Sequence, residues 1–303
     1  MVMSEGSRLT VLQQPGVLWQ RAIDQTRYAL ECGALVSIPT TYEFVEQDGI
    51  PFLVRLVANL VRKEEANRLQ KQAKVIHGKD FNPFLPYEDD LFVMDISETH
   101  VCILNKFNVV DHHLLIITRA FEEQEALLTQ DDFVAVWACL SDIDGLVFYN
   151  GGKLAGASQR HKHLQLVPFP FVPDVRIPIA LQFNSVLHHE TVLTVPELPF
   201  VHALIKFNSM PTAEQLFKIY HQVLRAVGIQ PGQTMQSAPY NLLVTREWMF
   251  IIPRSQEKTN GISVNSLGFA GALLARNSEE LARLKQIQPM NVLKNVAIAI
   301  PSK

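Results

Sequence analysis

Glycine is scarce in this chain, 14 among 303 residues, yet Gly145, Gly151, Gly152 and Gly156 crowd into one short stretch. No other feature restricts the fold so strongly. Without a Cβ, glycine admits positive φ and lets other backbone approach closely, so the cluster demands a compact loop between the segments that flank it. Both flanks read as strands. Leu146 to Tyr149 is a short apolar run, and Arg160 to Val167 alternates with the period of two that a strand requires. On such a strand His161, His163 and Gln165 share one face, while Lys162, Leu164 and Leu166 share the other.

The rest of the chain supplies a mixed set of elements. Pro15 to Gly33 reads as a helix, with Leu18, Ala22, Ile23, Ala29 and Leu30 near helical spacing and Gly33 as its C-cap. Ala34 to Val45 and Ile50 to Val57 flank Asp48-Gly49, a dipeptide suited to a type I′ hairpin turn. The charged run Arg62 to Lys74 reads as a solvated helix or loop, followed by a loop from Asn82 to Pro86. Leu91 to Ile96, Val101 to Phe107 and Leu114 to Thr118 are rich in Val and Ile and predict a meander. Thr129 can cap a helix from Gln130 to Asp142, with Asp132 completing the box. Five prolines between Pro168 and Pro196 mark a connector. Beyond it come a strand near Phe200 to Phe207, a helix from Thr212 to Val227 and a hairpin across Asn241 to Pro253. A run from Ile262 to Asn265, a turn at Gly268 to Gly271 and a final helix from Ser278 finish the chain.

Composition excludes several functions. At 48% apolar and 19% charged the chain is an ordinary globular protein, long enough for about two domains of ~150 residues or for one large one. Its net charge of −3 argues against a broad basic face, so nucleic acid is not an expected partner. The segment from Gly145 to Pro170 nevertheless has no acidic residue and carries Lys153, Arg160 and Lys162, a local +3 that would attract an anion. Three scattered cysteines, Cys32, Cys102 and Cys139, offer neither a disulfide framework nor a paired-cysteine zinc site. Glu5 and Arg8 precede any apolar stretch and no apolar run has the length of a membrane span, so the expected location is cytoplasmic, with no membrane partner.

The chemistry concentrates around the glycine loop. GxxxxGK[ST], GxGxxG and GxSxG are all absent, which removes a P-loop, a dinucleotide fingerprint and a serine elbow and leaves histidine as the candidate nucleophile. A neutral imidazole can attack an α-phosphorus and form a nucleotidyl-histidine, splitting one transfer into two easier ones. Gln165, Ser158 and the loop N–H groups are the candidate donors to phosphoryl oxygen. Taken singly, the loop reads equally as a plain turn, and His-x-His as a surface pair or a metal-ligand pair. A metal site would favour His, Asp or Glu where Gln165 stands.

The stretch Asn150 to Gln165 resembles the ATP adenylyltransferases, or diadenosine tetraphosphate phosphorylases, of the histidine-triad and galactose-1-phosphate uridylyltransferase superfamily, whose signature is His-x-His-x-Gln. Further blocks resemble the family in the same order. They are Pro51-Phe52-Leu53-Val54 through Lys63, Asn82-Pro83-Phe84, Leu104-Asn105-Lys106-Phe107, Val147-Phe148-Tyr149-Asn150, Tyr240-Asn241-Leu242, Glu247-Trp248 and Pro253-Arg254-Ser255. The resemblance implies an α+β fold of two histidine-triad-like halves built on antiparallel sheet with flanking helices. These would be a catalytic half over residues 1–175, a proline-rich connector over 176–198 and a second half over 199–303, in one compact unit.

By the same resemblance His163 accepts AMP, His161 shapes the site and Gln165 binds the α-phosphate. Nucleotide contacts fall on Lys63, Asn105, Lys106, Asn150, Gly156, Ala157, Ser158, Gln159, Gln165, Asn265 and Ser266. The implied reaction is phosphorolysis of diadenosine tetraphosphate to ATP and ADP through AMP-His163, with dinucleoside polyphosphates, ATP, ADP and phosphate as ligands. Adenylyl transfer from adenosine phosphosulfate to phosphate, another nucleotidyl transfer, and a non-catalytic nucleotide- or metal-binding protein remain alternatives. A divalent cation, Mg or Mn, is expected to travel with the polyphosphate; structural zinc is not expected, and a monomer is. Where fungal members read Asn-Ser-Thr-Gly this chain reads Asn265-Ser266-Leu267-Gly268; a downstream methionine is Ala272 and a lysine is Arg276. His112-His113, His188-His189, His202 and His221 read as loop or structural residues, and Trp137 and Trp248 as core.

Overall fold

The computed structural model describes residues 16–57, 82–186 and 190–301. Its backbone is an eight-stranded antiparallel sheet in the order β3-β4-β5-β7-β6-β9-β10-β8. The strands are β3 (Phe92–Asp95), β4 (His100–Leu104), β5 (Leu114–Thr118), β6 (Gly145–Gly151), β7 (His163–Pro168), β8 (Ala203–Lys206), β9 (Tyr240–Val244) and β10 (Trp248–Pro253). The chain before the connector thus contributes five adjacent strands and the chain after it three. They meet along β6 and β9, where Asn150 stands opposite Asn241 and Phe148 opposite Leu243.

Alternation along these strands creates two unlike faces. On one face Cys102, Ile116, Leu164, Leu166, Val147, Tyr149, Leu242 and Met249 are buried under three helices: α1 (Val17–Glu31), α2 (Gln130–Asp142) and α3 (Ala213–Ala226). Thr129 and Asp132 form the reciprocal capping box at the start of α2, as the sequence predicts, and Thr212 does the same with Gln215 for α3. The opposite face carries His163, Gln165, Phe148, Leu243 and Phe250. Over its second half lies a smaller sheet, β1 (Thr40–Gln47), β2 (Ile50–Val57) and β13 (Ala272–Ala275), the last preceded by the two-stranded pair β11 (Lys258–Thr259) and β12 (Ile262–Ser263), with Phe52, Leu53 and Val54 of β2 in the core between the two larger sheets. Asp48 and Gly49 both adopt positive φ in the β1–β2 turn, the backbone a type I′ hairpin needs.

Several expectations change in detail. β13 runs parallel to β2, with Ala272 opposite Leu53 and Leu274 opposite Arg55, so the second sheet is not wholly antiparallel. A four-residue strand of small and aliphatic residues carries no periodic signal long enough to read. The turn expected at Gly268 is the end of α4 (Ser266–Phe269), and the final helix is two, α5 (Ser278–Ile287) and α6 (Pro289–Val296), divided at Gln288, whose φ is +76°. Within the proline-rich connector, Pro178–Ser185 forms a 3₁₀ helix whose Ile179 and Phe183 are buried in the second core. The strand expected from Arg160 begins at His163; His161 makes an isolated bridge to Glu123. The run Arg62 to Lys74 and the pair His188-His189 lie outside the described residues. Among the described residues no helix is long and apolar enough to cross a membrane.

Candidate active site

The two histidines of β7 and its approach are held in different ways, and the difference separates their roles. His163 is buried, and its ring Nδ1–H donates to the carbonyl of His161 at 2.8 Å. Burial pushes its pKa down to about 4, aided by the nearby His161 ring and opposed by that carbonyl. The ring is therefore neutral near pH 7, with Nδ1 protonated and the lone pair on Nε2. No described residue hydrogen-bonds that Nε2.

His161 has no such freedom. Its Nε2 donates to the carbonyl of Thr118 at 2.8 Å, and Asn82 Nδ2 donates to its Nδ1 at 3.0 Å. Both ring nitrogens are engaged, so His161 serves through its carbonyl and its fixed position. Phe84 lays a ring edge against both imidazoles, with centroids 5.6 Å from His161 and 5.2 Å from His163. The backbone of His163 is braced by the Gln124 side chain. Its amide oxygen accepts from His163 N–H at 2.8 Å, and its NH2 donates to the carbonyls of His163 and Asn150 at 3.1 and 3.0 Å. Sequence reading missed Gln124, which gives no motif signal.

His113, read from the sequence as a loop or structural residue, is buried and held by two hydrogen bonds that bring it to the site. The Nε2–H of this buried residue donates to Gln165 Oε1 at 3.0 Å, while Asn105 Nδ2 donates to its Nδ1 at 3.1 Å. Burial pushes the His113 pKa down to about 4, so the ring is neutral and can donate on one side and accept on the other. The consequence reaches Gln165. With its oxygen committed to His113, its NH2 group is the end left to meet an anion. The only sequence hint was a histidine placed just before β5; its partner lies 52 residues away and meets it only because β5 pairs with β7.

His113, Asn105 and Gln165 lie on one wall of a cavity of about 440 Å³, within the range of small-molecule sites. The other wall is the small sheet, with Leu53 and Arg55 on β2 and Ala272 and Leu274 on β13. Of the predicted nucleotide contacts, Asn105, Asn150, Gly156, Ser158, Gln165 and Asn265 line this cavity. Ala157, Gln159, Lys106 and Ser266 are not among its lining residues, and Lys63 lies outside the described residues. Lys106 instead pairs with Glu88 at 2.6 Å.

Ser266 is fully buried in a polar joint between the two parts of the chain. Asn150 Oδ1 accepts from Ser266 N–H, Ser266 Oγ–H and Asn241 Nδ2, all within 2.8 to 2.9 Å. Arg254 closes the joint: it donates to Asn241 Oδ1 at 2.6 Å and to the carbonyls of Val264, Ala155, Val296, Gln256 and Glu257. Asn150 and Ser266 therefore spend these polar atoms holding the site together.

The glycine cluster has a packing role in the same joint. Gly156 has φ +93°, and a Cβ there would lie 2.8 Å from the Val264 carbonyl oxygen and 2.9 Å from Asn265 Cβ. A Cβ on Gly152, at φ +85°, would meet Glu125 Cγ at 2.7 Å. Asn265 caps α4 by accepting from Leu267 N–H at 3.0 Å.

The expected local charge of +3 is largely cancelled. Lys162 points to the opposite face and is fully buried there, 2.6 Å from Asp132 and 2.9 Å from Glu122. Arg160 pairs with Glu123 at 2.5 Å. The acids sit at positions 122, 123 and 132, outside the segment from Gly145 to Pro170, and the fold returns them beside it. Burial alone would raise the pKa of Asp132, but hydrogen bonds and charge from His100 and Lys162 hold it at about 2. His202 and Trp248 are buried as structural and core residues, while Trp137 packs partly buried against the first core.

Comparison with known proteins agrees with this arrangement. Residues 8–185 match the family model of the Ap4A phosphorylase N-terminal domain, where Ap4A is diadenosine tetraphosphate, and residues 196–299 match that of the ATP adenylyltransferase C-terminal domain. Diadenosine 5',5'''-P1,P4-tetraphosphate phosphorylase 2 of Saccharomyces cerevisiae is 29% identical over 269 residues, 79% of this chain and 81% of that protein. Protein APA1 of the same yeast is 25% identical over 293 residues, covering 87% and 88% of the two chains. The crystal structure of yeast Ap4A phosphorylase Apa2 superposes with a TM-score of 0.77 at 20% identity, over 95% of this chain and 99% of that one. Its complex with Ap4A gives 0.76 at 21% identity, with the same coverage.

Proposed function

This chain belongs to the Ap4A phosphorylase family, and we propose on that footing that it splits diadenosine tetraphosphate with inorganic phosphate into ATP and ADP. The observation that carries the chemistry is the 2.8 Å bond from His163 Nδ1–H to the His161 carbonyl, which leaves a neutral ring with its lone pair on Nε2. In the first step Nε2 attacks the α-phosphorus of one adenylate. The P–N bond forms as the bond from that phosphorus to its bridging oxygen breaks, and ATP leaves with the electron pair. The His161 carbonyl, already bonded to Nδ1–H, stabilises the positive charge that grows on the ring.

In the second step an oxygen of inorganic phosphate attacks the same phosphorus, the P–N bond breaks and its electrons return to Nε2, releasing ADP. ATP leaves as a weakly basic polyphosphate in the first step and neutral imidazole leaves in the second, so no strong general acid is required and catalysis rests on positioning and on donors. Gln165 NH2 is the side-chain donor best supported by the geometry, because His113 fixes its orientation. Asn105, Asn150, Ser158 and the loop from Gly156 to Gln159 are assigned to the nucleotide and phosphates, with Lys63, Lys106, Asn265 and Ser266 as further contacts. The divalent cation belongs to the proposal as a companion of the polyphosphate: the cavity's carboxylate, Glu280, is bonded to Arg276, so phosphate oxygens are the ligands available to it. Cytoplasmic operation as a monomer completes the reading.

Isotopically labelled inorganic phosphate tests the reaction. The label should enter the β-phosphate of ADP and be absent from ATP; AMP with ATP, or label in ATP, would contradict the proposal. Because the His163 and His113 pKa values both lie at about 4, both rings stay neutral through the physiological range. The rate of the first step is expected to be level between about pH 6 and 8 and to fall only as pH drops toward those pKa values, where protonation removes the attacking lone pair. An acid limb centred near 6.5, read from single-turnover rates, would show that the burial of His163 does not set its protonation. His113→Phe removes the ring's donor while filling its space, and should lower kcat by about 10- to 100-fold, with KM changing less. His113→Gln, which restores a donor, should recover part of the loss; equal loss in both variants would assign His113 to packing alone.

A further inference from the structure

Two guanidinium groups stand on the cavity wall, and the fold treats them differently. Arg276 donates to Glu280 Oε2 from Nε at 3.0 Å and to the Gly261 carbonyl, so its charge is matched by a carboxylate buried beside it. Arg55 has no carboxylate partner among the described residues. Its NH1 donates to Thr40 Oγ1 at 3.1 Å and its NH2 to the Phe171 carbonyl at 2.6 Å. These two bonds aim the fork without neutralising it, and among the described residues leave three of its five N–H donors for something else. Burial lowers the pKa of the group against opposing charge effects from Asp111 and Tyr42, and a guanidinium keeps its proton at any ordinary pH. A partly buried cation with unspent donors, lining a cavity in this way, calls for an anion.

Position says which part of the ligand that anion belongs to. Arg55 lies on β2 opposite Leu274 of β13 and lines the cavity together with Gln165, whereas His163 is not among the lining residues. We propose that Arg55 binds the phosphates of the departing nucleotide, those beyond the α-phosphorus, so that the polyphosphate is held by Gln165 on one wall and by Arg55 on the other. The proposal rests on the phosphorylase reading of the site. It also gives a physical account of the exchange of lysine for Arg276: with that cation tied to Glu280, Arg55 supplies the charge. Fixed charge and a planar fork suit phosphate oxygens better than a flexible ammonium would.

Calorimetric titrations with ATP, inorganic tripolyphosphate and adenosine on wild type, Arg55→Met and Arg55→Lys test this. Losing charge-assisted bonds should weaken ATP and tripolyphosphate binding by about 10- to 100-fold in Arg55→Met. Adenosine affinity should stay within about twofold, and Arg55→Lys should recover part of the loss, as a point charge can. Unchanged ATP binding in Arg55→Met, or an equal loss of adenosine, would overturn the assignment, the second by showing that Arg55 shapes the cavity or meets the base. Formation of an AMP adduct on wild-type His163 is scored in parallel. Its absence would contradict the phosphorylase reading, whereas its presence beside unchanged ATP binding in Arg55→Met would overturn only the role of Arg55.

Discussion

His163→Ala is expected to lower the rate of diadenosine tetraphosphate phosphorolysis at least ~10⁴-fold, because it removes the atom that carries AMP between the two half-reactions. The fold should survive the change: the imidazole makes one side-chain hydrogen bond, to the His161 carbonyl, and Gln124 holds the surrounding backbone through main-chain atoms that alanine retains. His161→Ala should be milder, since the carbonyl that orients His163 belongs to the backbone and persists. The contrast in kcat between these two variants separates nucleophile from support. Equal losses would mean that His161 takes part in the chemistry itself, and a residual rate in His163→Ala within about 100-fold of wild type would point to direct attack by phosphate.

The second large effect is on stability. Arg254 is 1% exposed, and burial lowers its pKa to about 10 without discharging it near neutrality. Its donors reach Asn241 Oδ1 and five carbonyls drawn from the glycine loop, the segment before α4, the strip after β10 and the end of α6. Arg254→Met would leave those buried acceptors short of donors, at a cost of about 3–5 kcal/mol in unfolding free energy. Urea unfolding with a native-like m-value measures it directly. Arg254→Lys keeps a charge but not the fork, and should recover less than half. Because Val264 lines the cavity and Ala155 directly precedes Gly156, which also lines it, both variants should also weaken nucleotide binding beyond what the stability loss explains. A change below about 0.5 kcal/mol in Arg254→Met would show that water or rearranged bonds replace the guanidinium.

Much of this architecture is written locally. The capping box at Thr129 and Asp132, the Asp48-Gly49 turn and the alternation of β7 follow from side-chain chemistry over a few residues, and so does the placement of His163 and Gln165 on one face. The resemblance added the choice of nucleophile; the hydrogen bonds of the two imidazoles supply a physical reason for it. What the sequence did not disclose depends on pairings between distant segments. His113 gains meaning only when β5 lies beside β7, Arg55 only when β2 faces the main sheet, and the part of Ser266 in a polar joint shows only when Asn150 and Asn241 meet across β6 and β9. The charge reading failed for the same reason: Lys162 alternates to the helical face, where Asp132 and Glu122 await it. Loop glycines needed for close packing and loop glycines needed for a phosphate look alike in one dimension, and the packing of Gly152 and Gly156 shows only once Glu125, Val264 and Asn265 are brought against them.

The covalent intermediate is the center of the account. Wild-type protein incubated with diadenosine tetraphosphate in the absence of inorganic phosphate should gain the mass of one adenylyl group, located on the peptide containing His163, and should lose it with release of ADP when phosphate is added. An unmodified protein under conditions where turnover with phosphate is demonstrated, or an adduct that persists in His163→Ala, would contradict it.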